Sequence, residues 1–294
     1  MHSESPFIHY ILRLPGCEVR SGLYLVATPI GHSADISLRA IATLAQVDLI
    51  ACEDSRVTSK LLQAYDIKTK LILYHEHNAE KARPEIIKHI QDGKSIALVS
   101  DAGMPLISDP GYKLVKACHG QDLYVSVVPG PTAVTTALAL SGLPTNTFLF
   151  GGFIPSKSSE RKSFLKKYTD YPETLIFFDS PHRITKTLED MTTLMPERNL
   201  AVCRELTKKF EEVVKGTPQE ALSHFLEHTP RGEFVIVVEG NTAPAEKTDD
   251  WQPVAIEMLK AESINNVSKQ IALEYGIKKK EVYEYLLQNG KSYK

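Results

Sequence analysis

The stretch Leu23-Tyr-Leu-Val-Ala-Thr-Pro-Ile-Gly31 decides how the first half of the chain folds. Its first five residues form a short apolar run, which is typical of a strand buried on both faces. Proline and glycine then favour a loop, because neither continues a strand easily. The apolar residues that follow stand at helical spacing, namely Ile36, Ala40, Ile41, Leu44 and Val47. The stretch therefore predicts a strand, a loop and a helix in that order.

The same alternation of apolar runs and amphipathic helices continues to the end of a fifth predicted strand. The further strands are expected at residues 48–52, 71–74, 95–99 and 123–128. Strands that are buried on both faces and separated by helices form parallel sheets with helices on each side. We therefore predict an N-terminal α/β domain over residues 22–143, with a mostly parallel sheet.

A second series of strands is expected at residues 148–150, 174–178, 200–203, near 213–214 and at 234–238. Several of these strands follow one another without a long helix between them, which indicates a mixed sheet. Thr217-Pro-Gln-Glu220 has the form of a capping box and marks the start of a helix. We predict a second α/β domain over residues 144–241, with the domain boundary near residues 142–147.

The two ends of the chain differ from these domains in composition. Residues 1–21 are interrupted by charged residues and proline, and we expect a flexible leader there. Residues 242–254 start with a polar, acidic stretch that contains proline, which predicts a linker. The apolar helical stripe that follows is broken by Gly276, so we predict a helix-turn-helix-like module over residues 255–294. A small packing appendage with a solvated charged face is the alternative for this module.

The overall charge argues against one class of nucleic-acid binder. The 294 residues are 43% hydrophobic and 24% charged, which excludes a disordered or collagen-like chain. The net charge of −2 argues against a protein that grips nucleic acid by bulk charge. The charge is uneven, because seven Lys against five Glu give residues 257–294 a charge of +2 and leave −4 for the remainder. The net charge therefore does not exclude a local basic surface that binds nucleic acid.

The scarcity of cysteine predicts a reduced, cytoplasmic protein. The four cysteines are far apart in the chain and form no CxxC pair: Cys17, Cys52, Cys118 and Cys203. Neither a disulfide scaffold nor a zinc site is expected from them. His75 and His77 could converge on a metal, but no third ligand is evident and we predict no metal site. No apolar run approaches the roughly 20 residues of a membrane span, so no membrane partner is expected.

Three loops after predicted strands favour a pocket for a small molecule. They span residues 27–32, 100–111 and 128–133, and all three contain glycine or proline. In an open parallel sheet the ligand lies beyond the carboxyl ends of the strands, where such loops meet. Glycine lets a ligand approach the backbone, and Asp101 or Asp109 offers a carboxylate for a ribose hydroxyl or an amine. Three stiff structural turns are the alternative.

A basic segment in the second domain is a candidate nucleic-acid surface. It contains Lys157, Arg161, Lys162 and Lys166, and helical spacing brings the last three close to one face. Such a strip can face the phosphate groups of RNA. A solvated helix face is the alternative, since charge runs on helices are most often of that kind.

An ordered series of motifs resembles the tetrapyrrole methylase superfamily and, within it, the branch that methylates ribosomal RNA. The resemblance covers about residues 23–294 and lies in these motifs: Leu25-Val-Ala-Thr-Pro-Ile-Gly31, Glu53-Asp-Ser-Arg56, Leu98-Val-Ser-Asp-Ala-Gly103, Pro105-Leu-Ile-Ser-Asp-Pro-Gly111, Val128-Pro-Gly-Pro131, Gly152-Phe-Ile-Pro155, Ser180-Pro-His-Arg183, Arg204-Glu-Leu-Thr-Lys208 and Arg231-Gly-Glu233. Their order makes the resemblance specific. Four positions depart from the usual residues, namely His32, Ser55, Met104 and Asp179. Met104 matters most, because it replaces a hydroxyl with a thioether inside the expected cofactor loop.

The resemblance implies a two-domain tetrapyrrole-methylase-like α/β fold, with a mostly parallel N-terminal sheet, a mixed C-terminal sheet and a small helical C-terminal module. It implies a methyltransferase that holds S-adenosylmethionine in the cleft between the domains, usually as a homodimer. The expected substrate is 16S rRNA within the small ribosomal subunit. The expected acceptor is the ribose 2′-oxygen of a cytidine in the decoding region.

The site residues are carried over from the motifs, one residue at a time. Those expected at the cofactor are Pro29, Asp101, Ala102, Gly103, Pro105, Leu106, Ile107, Pro129, Gly130, Thr132, Ala133 and Phe178. Asp101, Glu205 and Lys208 are the candidates for catalysis, because a nearby carboxylate would help to remove a hydroxyl proton. RNA contacts are expected at Lys157, Arg161, Lys162, Lys166, Arg183, Lys278, Lys279 and Lys280.

Two other functions stay open. A corrin- or porphyrin-type tetrapyrrole C-methyltransferase belongs to the same superfamily, although a small ring needs neither the basic segment nor the lysine-containing tail. A non-enzymatic RNA-binding protein would use the tail and would leave the three loops without a ligand. Binding of S-adenosylmethionine distinguishes the two enzymes from this last alternative.

Overall fold

The computed structural model describes residues 10–12, 15–241, 251–259 and 262–289. The chain divides into two compact units, Met1–Gly240 and Asn241–Lys294. Two five-stranded sheets form the first unit, and the C-terminal helices form the second. Among the helices in the described ranges, none combines the length and the apolar character that crossing a membrane requires.

The first sheet consists of five parallel strands covered on both faces. The strands are β1 (Gly22–Val26), β2 (Leu49–Cys52), β3 (Lys70–Leu73), β4 (Ser95–Leu98) and β5 (Val125–Val128), in the order β3-β2-β4-β1-β5. Tyr24 and Val26 of β1 belong to one buried apolar cluster, and Leu23 and Leu25 belong to another. Because neighbouring side chains on a strand point to opposite faces, both faces of the sheet are buried. The predicted parallel sheet is confirmed.

Five α-helices follow the strands of this sheet, and together with the sheet they form the part of the first unit that we call the first lobe. They are α1 (Leu38–Gln46), α2 (Ser55–Ala64), α3 (Ala79–Gln91), α4 (Tyr112–His119) and α5 (Ala133–Ser141). The first two begin at capping side chains, because Ser37 accepts the N–H of Ala40 and Asp54 accepts the N–H of Arg56. Helices α1 and α2 pack on one face of the sheet, and α3 and α4 pack on the other.

The second sheet is mixed, as the sequence predicts. Its strands are β6 (Phe148–Phe153), β7 (Thr174–Asp179), β8 (Leu200–Arg204), β9 (Glu212–Gly216) and β10 (Phe234–Val238), in the order β6-β7-β10-β8-β9. Only β6 and β7 pair in parallel, and the other three pairs are antiparallel. The short connection from β8 to β9 explains the antiparallel pairing, since a parallel return needs a crossover.

Three helices accompany the second sheet: α6 (Ser158–Lys166), α7 (Ile184–Leu194) and α8 (Pro218–Glu227). The predicted capping box is present at the start of α8. The Thr217 hydroxyl accepts the N–H of Glu220, and the Glu220 carboxylate accepts the N–H of Thr217.

Helix α5 packs against the second sheet, although it follows the last strand of the first. Its residues Val134, Ala137 and Leu138 share a buried cluster with Val235 and Val237 of β10. The boundary near residues 142–147 stays a prediction, and this cluster shows that the two lobes have a common apolar layer.

The flexible leader over residues 1–21 stays a prediction, although two of its described residues are buried. Ile11 is 0% exposed and, together with Cys17, belongs to the core cluster beneath α1. The side-chain amide of Gln46 also donates to the Cys17 carbonyl at 2.7 Å. The apolar side chain of Ile11 explains why this part of the segment packs on the core, because its burial removes apolar surface from water. Residues 1–9 and 13–14 of the expected leader lie outside the described residues.

The second unit contains three helices, α9 (Trp251–Met258), α10 (Ile264–Tyr275) and α11 (Lys279–Asn289). They enclose a small core that includes Trp251, Val267 and Leu286. Helix α10 ends at Gly276, which has the left-handed φ of 67° that glycine accepts without strain. The last residues of the predicted linker, 251–254, belong to α9, where the ring of Trp251 packs on that of Tyr285 with centroids 4.9 Å apart. Residues 242–250 lie outside the described residues.

Candidate active site

A cavity of about 430 Å³ lies in the first unit, where loops from both sheets meet. The first sheet contributes the residues that follow the carboxyl ends of β1, β2, β4 and β5, and the second contributes the ends of β6 and β7 and the start of β10. A cavity of this volume and position suits a small-molecule ligand. We call it the inner cavity.

Seven of the twelve predicted cofactor residues line the inner cavity: Asp101, Ala102, Gly103, Ile107, Thr132, Ala133 and Phe178. The other five do not, namely Pro29, Pro105, Leu106, Pro129 and Gly130. Pro105 is buried, Leu106 packs against the core cluster of β1 and α4, and Gly130 lies close to Ala27. Pro105, Leu106 and Gly130 therefore shape the loops, and a role at the cofactor for all five stays a prediction.

The loop after β1 and the loop after β4 are held together by their backbones. The Thr28 N–H donates to the Gly103 carbonyl at 2.9 Å, and the Gly103 N–H donates to the Thr28 carbonyl at 3.0 Å. The buried Thr28 hydroxyl also donates to the Ser100 carbonyl at 3.2 Å. Gly103 has a φ of 80°, and a Cβ there would lie 3.3 Å from Ile30. A glycine is therefore needed where the loop forms the cavity wall.

Three carboxyl groups line one side of the inner cavity: Glu53, Asp101 and Asp109. Burial raises the pKa of all three, and raises that of Asp109 to about 6. The Asp54 N–H donates to Asp101 Oδ1 at 3.1 Å and so fixes this carboxylate. The site residues carried over from the motifs include neither Glu53 nor Asp109. The signal for Glu53 was its position directly after the second strand, at the same sheet edge as the three loops.

The opposite wall is aromatic. Phe178 contacts Phe150 and Phe153 with ring centroids 4.8 and 5.2 Å apart, and Phe153 and Phe178 line the cavity. A bulge between Phe150 and Gly152 sets this arrangement. A Cβ on Gly151 would lie 2.5 Å from the ring of Phe177, and Gly152 has a φ of 77°. The two glycines thus bring the phenylalanine that follows them to the cavity.

Glu205 and Lys208, two candidates for catalysis, do not line the inner cavity. Lys208 Nζ binds Glu205 Oε1 at 2.8 Å and Glu233 Oε2 at 2.9 Å, and only Glu233 lines the cavity. The Glu205 carboxylate also accepts the N–H of Glu233 at 3.1 Å and packs on Gly232. These contacts occupy both groups, so the structure favours a role in positioning the β8–β9 loop over proton transfer.

The β8–β9 loop in turn supports the loop after β1. The Thr207 hydroxyl accepts the N–H of His32 at 2.9 Å, and a Cβ on Gly31 would lie 2.6 Å from the Leu206 carbonyl. Leu206 itself lines the inner cavity beside Ile30. The contact between these two loops therefore closes the cavity on the side of the second sheet.

The basic segment needs one correction. Arg161 is 4% exposed, and its Nε donates to Asp190 Oδ2 at 2.7 Å, so this side chain is part of the core and not of an RNA surface. Lys162 and Lys166 are exposed, and Lys157 is exposed beside Glu160 at 3.0 Å. Asp190 explains the difference, because an arginine is buried only with a carboxylate partner.

The remaining expected RNA contacts belong to other elements of the structure. Arg183 Nε donates to the buried Asp179 carboxylate at 3.0 Å, and Asp179, not Arg183, lines the inner cavity. Lys278, Lys279 and Lys280 are exposed at the start of α11 in the second unit. In the described ranges, no group of three or more His, Cys, Asp or Glu side chains is arranged to hold a metal ion.

The two sheets and the loop-lined cavity between them define the class of the protein. The family model for Tetrapyrrole (Corrin/Porphyrin) Methylases matches residues 22–222. The chain belongs to this family, and its fold is the α/β fold that the motifs predict.

The chain is also similar over most of its length to bacterial proteins named ribosomal RNA small subunit methyltransferase I. It is 45% identical over 272 residues to that of Halalkalibacterium halodurans, covering 89% of this chain and 93% of the relative. It is 43% identical over 277 residues to that of Mesorhizobium japonicum, covering 94% of each.

A solved structure has the same fold. Uroporphyrin-III C-methyl transferase from Thermus thermophilus, complexed with S-adenosyl homocysteine, has a TM-score of 0.52 and 17% identity. The likeness covers 74% of this chain and 97% of the other. At this identity it is evidence for the fold alone.

Proposed function

We propose that this chain is an S-adenosylmethionine-dependent methyltransferase that modifies the ribose 2′-oxygen of a cytidine in the decoding region of 16S rRNA. The observation that carries the proposal is the similarity of 43–45% over about nine-tenths of the chain to ribosomal RNA small subunit methyltransferase I. The substrate is 16S rRNA within the small ribosomal subunit, the active form is a homodimer and the compartment is the cytoplasm. All four cysteines are free thiols, which supports that compartment.

The residues of the inner cavity fit S-adenosylmethionine. Its walls combine apolar side chains with the carboxylates of Glu53, Asp101 and Asp109, which suit a ligand with a flat adenine ring, ribose hydroxyls and a positive sulfur. Thr132 and Ala133 bring the N-terminus of α5 to the same cavity, and no side chain caps that end. Free N–H groups at a helix N-terminus favour a carboxylate, such as that of the methionine part.

When bound, S-adenosylmethionine supplies a methyl group already activated by a positively charged sulfur. The chain must then hold the acceptor oxygen in line with that methyl group, exclude water and receive a proton. The paired loops after β1 and β4 provide a rigid wall for this, and correct positioning alone can lower the barrier by about 7 kcal/mol or more. Of the three candidates for catalysis, Asp101 lines the cavity, and Glu205 and Lys208 position the β8–β9 loop.

The two other functions receive less support. A tetrapyrrole C-methyltransferase shares the fold, but the relatives with near full-length similarity carry the rRNA name. A non-enzymatic RNA-binding protein leaves the inner cavity, with its buried carboxyl groups, without a ligand.

Transfer of a labelled methyl group tests the proposal. The substrates are 30S subunits that lack ribose methylation, free 16S rRNA and a tetrapyrrole precursor, each with labelled S-adenosylmethionine. We expect label in 16S rRNA at a cytidine whose 3′ phosphodiester then resists alkaline cleavage. Label in the tetrapyrrole alone, or in neither RNA substrate, would overturn the proposal.

A matched pair of variants connects the activity with the inner cavity. Ala102→Phe places a ring in the cavity, whereas Ala64→Phe places one at the exposed end of α2. Calorimetry with S-adenosylmethionine should show loss of binding in the first variant only. Light scattering of the wild-type chain tests the homodimer separately.

A further inference from the structure

A second cavity, of about 740 Å³, adjoins the inner cavity. Glu53, Ser108 and Asp109 line both, so these three residues form a shared wall. The rest of the second cavity is built from the first lobe alone, by the end of β3, the first turns of α3 and the start of α4. We call it the outer cavity.

We propose that the outer cavity binds the acceptor nucleotide of the RNA substrate. The base stacks on Tyr112, and the ribose faces the shared wall, where Asp109 accepts the proton of the 2′-hydroxyl. The proposal rests on the proposed function, because it assigns the place of the acceptor in that reaction.

The first argument is an exposed aromatic ring at the cavity. Tyr112, the first residue of α4, is 65% exposed and lines the outer cavity. Tyr74, by contrast, is buried at 1% exposure and forms part of the wall. An exposed tyrosine beside a cavity is the kind of group on which unstacked RNA bases stack.

The second argument is the set of cations. Lys81 and Arg83 of α3 and Lys113 of α4 line the outer cavity. In the described part of the chain, neither lysine forms an ion pair, and Arg83 Nε is buried without a hydrogen-bond partner. Two lysine ammonium groups and an arginine with one unpartnered Nε–H favour a phosphate ligand.

The third argument is the mixture of charges. The cations are accompanied by the carboxylates of Glu53, Glu76, Glu80 and Asp109. A tetrapyrrole with several carboxylates would bring only negative charge to these four carboxylates, whereas a cytidine nucleotide also brings an amino group that a carboxylate can accept. A carboxylate is the acceptor that suits the N4 amino group of cytosine. The mixture therefore favours a nucleotide over a ring with many acidic groups.

The fourth argument is the strain in the shared wall. Ser108 has a φ of 67° and Leu106 a φ of 75°, a region that residues other than glycine rarely adopt. The packing of Leu106 on Leu98 and Gly111 holds the loop in this form. Such strain is kept where a side chain must be placed accurately, and here it presents Asp109 to both cavities.

The proton balance of the step is simple. The ribose oxygen forms a bond to the methyl carbon while the bond between that carbon and the sulfur breaks, and the sulfur keeps the electron pair. The hydroxyl proton passes to the Asp109 carboxylate and from there to solvent. Since burial raises the pKa of Asp109 to about 6, the group is still mostly ionised at neutral pH and is a stronger base than an ordinary aspartate.

Binding and kinetics of variants test the proposal. RNA binding is measured by filter retention of free 16S rRNA in the presence of S-adenosyl homocysteine, and cofactor binding by calorimetry. Tyr112→Ala should weaken RNA binding and raise KM for the RNA by about tenfold or more, whereas Tyr112→Phe keeps the ring and should retain both. Lys113→Gln should weaken RNA binding, and Lys116→Gln, an exposed position on the same helix outside the cavity, should not.

Asp109→Asn tests the proton acceptor. It should lower kcat by about a hundredfold or more, and this fall should exceed any change in RNA or cofactor affinity. Wild-type affinity and KM for RNA in both Tyr112→Ala and Lys113→Gln would overturn the outer cavity as the nucleotide site. Unchanged kcat in Asp109→Asn would overturn the proton acceptor. A wild-type chain that binds cofactor but methylates no RNA would overturn the proposed function instead, and RNA binding by the variants would still decide the cavity.

Discussion

Thr28 and Gly103 exchange two backbone hydrogen bonds, at 2.9 and 3.0 Å, between the loops that follow β1 and β4. This isolated bridge lies directly at the inner cavity, where Gly103 forms part of the wall. Because both bonds use backbone groups, the bridge depends on the conformation of Gly103 and not on a side chain. Its strength can therefore be tested by adding a single methyl group.

Gly103→Ala should weaken S-adenosylmethionine binding by about tenfold, because the Cβ would press on Ile30 at 3.3 Å and shift the cavity wall. Gly93→Ala is the matched control, since Gly93 has a similar φ of 88° and nothing lies near its Cβ. Both variants should lose about 1 kcal/mol of unfolding free energy from the left-handed backbone. Calorimetry and denaturant unfolding measure the two effects, and equal cofactor affinity in both variants would contradict the role of the bridge.

Activity should depend on pH through Asp109. The base must be ionised, so kcat/KM should rise as the pH increases through about 6, the pKa to which burial raises this carboxyl. Asp109→Asn should remove this rising limb, whereas Asp101→Asn should keep it. A rising limb that survives in Asp109→Asn would assign the titration to another group.

The Asp109 carboxylate should lower the unfolding free energy of the protein at neutral pH. A pKa raised in the folded state means that the fold favours the protonated form, so the stabilising effect is complete below the ordinary aspartate pKa and is lost as the pH rises through about 6. Asp109→Asn should therefore raise the unfolding free energy at neutral pH, by on the order of 1 kcal/mol after allowance for solvent screening. Urea unfolding at neutral and acidic pH should show the gain at neutral pH only, and an equal gain at both would exclude burial of the charge as its cause.

Variants of Arg161 and Lys162 should distinguish a role in stability from a role in RNA binding. Arg161→Met should destabilise the fold by about 3–5 kcal/mol, because the buried Asp190 carboxylate loses its partner at 2.7 Å and keeps only the more distant, exposed Lys162. Lys162→Met should have little effect on stability, since Lys162 is 62% exposed and lies 3.7 Å from Asp190. Thermal unfolding measures the stability of each variant, and filter binding measures its affinity for RNA. An Arg161→Met chain that is as stable as the wild type but binds RNA poorly would restore Arg161 to the RNA surface.

The Glu205–Lys208 pair should contribute to stability rather than to proton transfer. Burial opposes ionisation of Glu205, but the hydrogen bond from Lys208 and the N–H of Glu233 outweigh it and lower the pKa of Glu205. The resulting stability is present above the ordinary glutamate pKa and is lost as the pH falls through the lowered value. Glu205→Gln should thus lose about 1 kcal/mol at neutral pH and keep its cofactor affinity within about twofold. A loss of kcat comparable to that of Asp109→Asn would return Glu205 to the catalytic group.

Local features of the fold were predictable because they depend on neighbouring residues. The apolar runs at β1 and β4, the capping box at Thr217 and the helix end at Gly276 all appear where the sequence predicts them. The loops after β1, β4 and β5 also meet at one cavity, since the carboxyl ends of parallel strands lie along one edge of the sheet.

Other features escaped because they depend on partners distant in the chain. Arg161 belongs to a basic run in the sequence, yet Asp190, 29 residues away, draws it into the core. In the sequence, Glu205 and Lys208 resemble a catalytic pair. In the structure, Glu233, directly before β10, contacts Lys208 as well. Ile11 lies in an unremarkable leader, and only the packing beneath α1 explains its burial.

The order of apolar runs, glycines and prolines was enough to define two sheets and their loops, because strand burial and turn formation are local properties of the backbone and its side chains. The family followed from the ordered motifs that resemble it. The tertiary structure alone decided which carboxylates share a wall and which cations line the outer cavity. Glu53 and Asp109 come from different loops of the first lobe, and only the packing of β2 beside β4 brings them to the same two cavities. Desolvation and charge pairing act through space, so their effects on Asp109 and Arg161 exist only once the chain has folded.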